Sequence, residues 1–211
     1  MTSQQLEMRK TKQEKGFQLF YIFPILYVLS VYLLPVFILM MQAKNMLSYL
    51  IYLPIVCGVL NIIVSIKFCK PENRYMMFHA TVLVKYAMIP FFILGGLLVM
   101  ASLLLSFIPV PFMIFLGPTV AVMGIIIGWL VLAFEAPYAI SYLRLSAKAK
   151  TCSKVMAVLH SIFQFFFTLD VIDVMVLTMK ERKWRRLTIS IIILLAVAVM
   201  ILIIRFIMGL E

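Results

Sequence analysis

Asp170 and Asp173 stand three residues apart in a stretch without Gly or Pro, so on a helix their carboxylates share a face. Two oxygen-bearing groups so placed can hold Mg²⁺ or Ca²⁺, or relay protons. They can equally form the solvated polar edge of an interfacial helix. His160 and Gln164 are i, i+4 in the same stretch, a spacing that suits either a cavity wall or a hydrogen bond within a bundle. Asn61 interrupts an apolar run, and His79 stands near the start of another, at the expected water interface. Asn61, His79, His160, Gln164, Asp170 and Asp173 form the candidate polar cavity. Lys85 and Glu135 form a second constellation, an acid and a base at the two ends of one long uncharged run.

Other chemistries lack their residues. The chain has no His-Glu-x-x-His, no Gly-x-Ser-x-Gly and no phosphate-binding glycine loop, so no catalytic residue is assigned. Three cysteines without a Cys-x-x-Cys or Cys/His pattern give neither a zinc site nor a disulfide framework; no metal and no cofactor are expected. Cys57 reads as a small packing residue, and Cys69 and Cys152, flanked by lysines, read as thiols facing a reducing cytosol. The net charge of +11 accompanies no nucleic-acid recognition motif. It fits cytoplasmic loops against anionic lipid headgroups, so the expected partners are the bilayer and those headgroups, with no nucleic acid.

The elements that carry these residues are hydrophobic helices. Tyr86 to Phe134 is 49 residues without a charge, and 65% of the chain is hydrophobic. As one helix that run would reach roughly 74 Å against a hydrocarbon core of about 30 Å, so it must fold back, at Pro109-Val110-Pro111. The pattern predicts an all-α, polytopic transmembrane bundle: a basic cytoplasmic segment over 1–16, then one membrane domain over 17–211. Spans are expected at about 17–41, 46–68, 80–107, 112–134 and 187–208. The 25-residue first run exceeds a signal-peptide core of about 7–15 residues and is expected to be retained.

The stretch 155–179 is ambiguous. Its two Asp cost roughly 5–7 kcal/mol at a helix centre, and its 14 Leu, Ile, Phe and Val return roughly 4–8 kcal/mol. Kept on the cytoplasmic side, and with Lys85 set aside, it leaves sixteen basic residues inside against two outside, rather than twelve against six. The positive-inside rule therefore favours five spans plus an interfacial or tucked helix, with six spans as the alternative.

Reflection about Val110 then sets a register. Lys85 and Glu135 each lie 25 residues from it, and Gly96 and Gly124 each 14. Gly124 and Gly128 form a small-xxx-small pair that lets helices approach closely. Lys85, Glu135, Gly96, Gly124 and Gly128 are thus expected on one packing seam. Its charges either gate a path through the bundle or pin the hairpin at the cytoplasmic edge, where Lys85 can snorkel. With few intramembrane polar groups, the chain reads as a non-enzymatic accessory or scaffold protein of the cell membrane, its N-terminus cytoplasmic. It would form a homo- or hetero-oligomer through small-residue helix faces. A small-molecule or ion transporter component is the alternative, and a membrane-embedded enzyme ranks below both.

Overall fold

Proline and aromatic residues decide where the hydrophobic runs break in the computed structural model, which describes residues 20–42, 46–108 and 110–208. The basic segment 1–16 and Pro109 lie outside them. The first apolar run is two helices, α1 (Phe20–Tyr32) and α2 (Leu34–Gln42), where the pattern predicts one span. Pro35 has no N–H to continue the ladder, yet Leu33 and Phe37 still bond to Leu29 and Leu33 on either side. A 3₁₀ turn (Met46–Tyr52) leads into α3 (Leu53–Lys67), with Pro54 in its first turn, where a missing N–H costs nothing. Then come α4 (Arg74–Leu105) and α5 (Pro111–Lys148), each longer than the expected spans 80–107 and 112–134.

The described residues form an all-α helical bundle. Four helical stretches are long and apolar enough to cross a membrane, Tyr49–Lys67, Pro71–Leu105, Pro111–Lys148 and Arg185–Arg205, which makes the chain compatible with a membrane protein. It divides into two compact units, Met1–Val171 and Ile172–Glu211.

In the first unit α4 and α5 form a helical hairpin. Val110 is extended (φ −114°, ψ 120°), and Pro111 starts α5. Three contacts are equidistant from Val110: Arg74 Nε donates to Ser146 Oγ at 2.9 Å, the Phe78 and Tyr142 rings lie 4.9 Å apart, and Lys85 reaches Glu135. Tyr27 donates to the Val131 carbonyl at 2.8 Å and Phe20 packs on Tyr138, so α1 runs antiparallel to α5. On α3, Gly58 lies under the Phe134 ring and Asn61 meets Tyr138, so α3 and α5 run parallel.

The expected single helix over 155–179 is instead α6 (Lys154–Phe163) and α7 (Leu169–Glu181). Between them Phe165 and Phe166 bond back to Ile162 and Phe163, and Thr168 takes φ 71°. Three consecutive phenylalanines are weak helix formers, and the Phe167 ring lies 5.8 Å from Phe92 and against Gly128. Tertiary packing has won over the local pattern. At roughly 15 and 20 Å, neither helix is long enough to cross a bilayer.

In the second unit, α7 continues and α8 (Arg185–Met208) follows a turn with Arg182 and Trp184 at positive φ. The hydroxyls of Thr178 and Thr188, both buried, lie 2.8 Å apart and join the two helices.

The tightest point of the α4–α5 hairpin is Gly117, where a Cβ would collide with the Ser102 carbonyl and the Ser106 hydroxyl. Since backbone cannot move aside as a side-chain end can, Gly117→Ala is expected to cost about 1–3 kcal/mol. Gly96→Ala, which meets nothing within 4 Å, should be neutral or slightly stabilising. Thermal unfolding of both variants in detergent checks the contrast.

Candidate functional site

Lys85 lies in the fourth turn of α4, on the face that packs against α5, and its whole side chain is buried. An ammonium withdrawn from water needs a carboxylate close by. The nearest is Asp170 at the start of α7, whose Oδ2 accepts from Lys85 Nζ at 2.7 Å. Glu135 stands on the other side, its Oε1 3.8 Å from the same nitrogen. All three residues are about 1% exposed. Neither Glu135 oxygen has a hydrogen-bond partner among the described residues. The set is therefore one ammonium between two carboxyl groups: a short charge-assisted bond to Asp170 and a longer coulombic contact to Glu135.

The chain brings Asp170 here by turning inside the bundle. Lys154, at the start of α6, shares a groove with Arg144 and Lys148 of α5, and Phe165 shares that groove with Ile140. Phe167 then reaches Gly128, deeper along α5 than Glu135. Three residues later Asp170 is back at the level of Lys85. The break at 164–168 is what makes this possible.

Asn61 is fully buried on α3, and its Oδ1 accepts from Tyr138 at 2.9 Å. Its Nδ2 has no hydrogen-bond partner among the described residues. His160 is buried, with Phe163 edge-on to its ring, and Gln164 donates to the His160 carbonyl at 3.5 Å. His79 is half-buried, 6.2 Å from the Phe78 ring and close to the cationic start of α4. Asp173 is buried and belongs to the second unit. Of the candidate polar residues, Asp170 joins Lys85, Asn61 joins Tyr138, and the His79 and His160 rings lie near Phe78 and Phe163. Among the described residues, no three His, Cys, Asp or Glu side chains cluster as a metal site.

The glycines of the expected seam also part company. A Cβ on Gly124 would touch Val99 at 3.0 Å and one on Gly128 would touch Phe167 at 3.3 Å, but one on Gly96 would meet nothing within 4 Å. Gly96 therefore does not pack on Gly124. Pro90, which cannot donate to the hydrogen-bond ladder, stands inside α4 between Lys85 and Gly96. Gly95, Gly96, Gly124 and Gly128 line instead an apolar groove of about 510 Å³, bounded by α2 and Phe167.

The family-model comparison matches residues 15–186. The chain belongs to the family of unknown function DUF6652. The matched stretch contains Lys85, Glu135, Asp170 and both grooves of this DUF6652 protein. Comparison with curated proteins and with solved structures gives no match.

The pairing of Lys85 with Asp170 is not evident from spacing, since 85 residues separate them. The signal available was scarcity: few charges fall inside hydrophobic stretches, and a lone base must find an acid among them. Removing one member of a buried pair leaves the other uncompensated, so Lys85→Met and Asp170→Asn are each expected to cost about 3–5 kcal/mol. The double variant Lys85→Met/Asp170→Leu should recover much of that loss, because no isolated charge remains. Glu135→Gln, at the longer contact, should cost less than Asp170→Asn. Denaturation of the four variants beside the parent ranks these costs.

Proposed function

We propose that this DUF6652 protein is a non-enzymatic, multi-pass membrane module that acts by holding a partner helix. The observation that carries this reading is the groove of about 510 Å³ lined by Gly95, Gly96, Gly124 and Gly128. No ionisable group lines it, and at Gly95 and Gly96 the helix backbone is open, a surface against which transmembrane helices pack closely. Lys85, Glu135 and Asn61 line neither of the two grooves and are sealed from solvent, which leaves a hydrophilic solute little to recognise. In this reading the module sits in the cell membrane with its basic end, at Lys67, Lys70, Arg144 and Lys148, in the cytoplasm. The partner is a second copy or another apolar helix.

A second reading rests on Glu135. One ammonium cannot neutralise two carboxylates, and uptake of one proton makes the buried set neutral, as in a proton-coupled transporter. Proton flux in liposomes that survives unchanged in Glu135→Gln would dispose of it.

The leading reading is tested at Gly96, because a side chain there fills the groove without touching its own bundle. Gly96→Leu is expected to leave the thermal stability intact and to abolish association in membranes, read as energy transfer between labelled copies. A photo-cross-linker at position 96 should capture a membrane protein or a second copy. Recovery of lipid adducts alone, with unchanged energy transfer in Gly96→Leu, would end the helix-partner reading.

A further inference from the structure

The groove between α6 and the last turns of α5 has a separate occupant: we infer that it binds an anionic glycerophospholipid. Its volume is about 440 Å³. Arg144 and Lys148 from α5 and Lys154 from α6 stand around it, and all three are exposed. None has an ion-pair partner among the described residues, and no carboxylate lines the groove. This sets them apart from Arg74 at the same end of the hairpin, whose guanidinium bonds Ser146 and lies over the Tyr75 and Tyr142 rings.

The groove is graded along its length, and both helices grade it the same way. On α5 the lining runs from Ile140 outward to Arg144 and Lys148. On α6, which runs antiparallel, it goes from Ile162 through Val158 to Lys154. Apolar walls lie toward the bundle and cations toward its basic end. Val158 is 60% exposed and Ile162 49%, apolar surface that lipid tails would cover.

The α6 N-terminus adds the positive end of its helix dipole at the cationic side, where Ser153 caps the Met156 N–H. An amphiphile with an anionic head and an acyl chain matches head to cations and tail to apolar wall at once. A free phosphate satisfies only the first. The site shares no lining residue with the glycine groove and does not depend on the helix-partner reading.

The test uses the full chain in mild detergent, with bound lipid counted by native mass spectrometry against added phosphatidylglycerol or phosphatidylcholine. One retained phosphatidylglycerol per chain is expected, with phosphatidylcholine lost under the same conditions. Each neutralised cation should weaken binding about fivefold, and Arg144→Gln/Lys148→Gln/Lys154→Gln on the order of a hundredfold. These side chains are exposed, so the variant should fold as the parent does. Val158→Gln/Ile162→Gln should also weaken phosphatidylglycerol binding with every charge in place, and the control Lys67→Gln/Lys70→Gln should leave it unchanged. Equal retention of the two lipids, an equal loss in the control, or displacement of phosphatidylglycerol by millimolar inorganic phosphate would each overturn the assignment.

Discussion

An ammonium group inside an apolar bundle has to be answered, and in this protein Lys85 is answered twice. Asp170 takes the hydrogen bond at 2.7 Å and Glu135 supplies a second negative group at 3.8 Å. Each answer recruits a different part of the chain. Glu135 comes from α5 and makes the hairpin register a matter of charge as well as shape. Asp170 comes from a segment that must enter the bundle and turn there. The break between α6 and α7 and the seat of Phe167 on Gly128 accompany that placement. In water such a pair would contribute little; out of water an unanswered charge is too costly to keep.

Around that interaction, the first unit is held by contacts suited to a bundle without a hydrophobic drive between its helices. Glycines admit close neighbours: Gly58 under Phe134 and Gly117 beside Ser102. Hydroxyls reach across helices to carbonyls and amides, as Tyr27 does to Val131, Tyr32 to Ala87 and Tyr138 to Asn61. The polar residues inside thus serve mainly to join helices. Two grooves lie at the surface: an apolar one lined by glycines and a graded cationic one at the basic end.

This division of labour bears on function. Lys85, Glu135 and Asp170 are buried and line neither of the two grooves described. Membership of DUF6652 brings no activity with it, so the functional reading rests on geometry alone. The two grooves differ in charge and in their place along α5: one is lined by Gly124 and Gly128, the other by Arg144 and Lys148.

Much of the architecture was legible in the sequence, because a bilayer-length scale leaves few ways to arrange a 49-residue uncharged stretch. Helix class, the reversal near Val110 and the apposition of Lys85 to Glu135 need only rise per residue and a count from the tip. The count set Gly96 level with Gly124, but a count cannot report whether a neighbouring surface arrives, and a Cβ at Gly96 would meet nothing within 4 Å. The helix expected over 155–179 failed because local propensity cannot report that Phe167 has a glycine to rest on, or that Asp170 is wanted 85 residues upstream. Spacing along a regular helix is a local property and can be read directly. The partner of a buried charge, and the open space beside Gly96, depend on which surfaces meet, and only the folded bundle decides that.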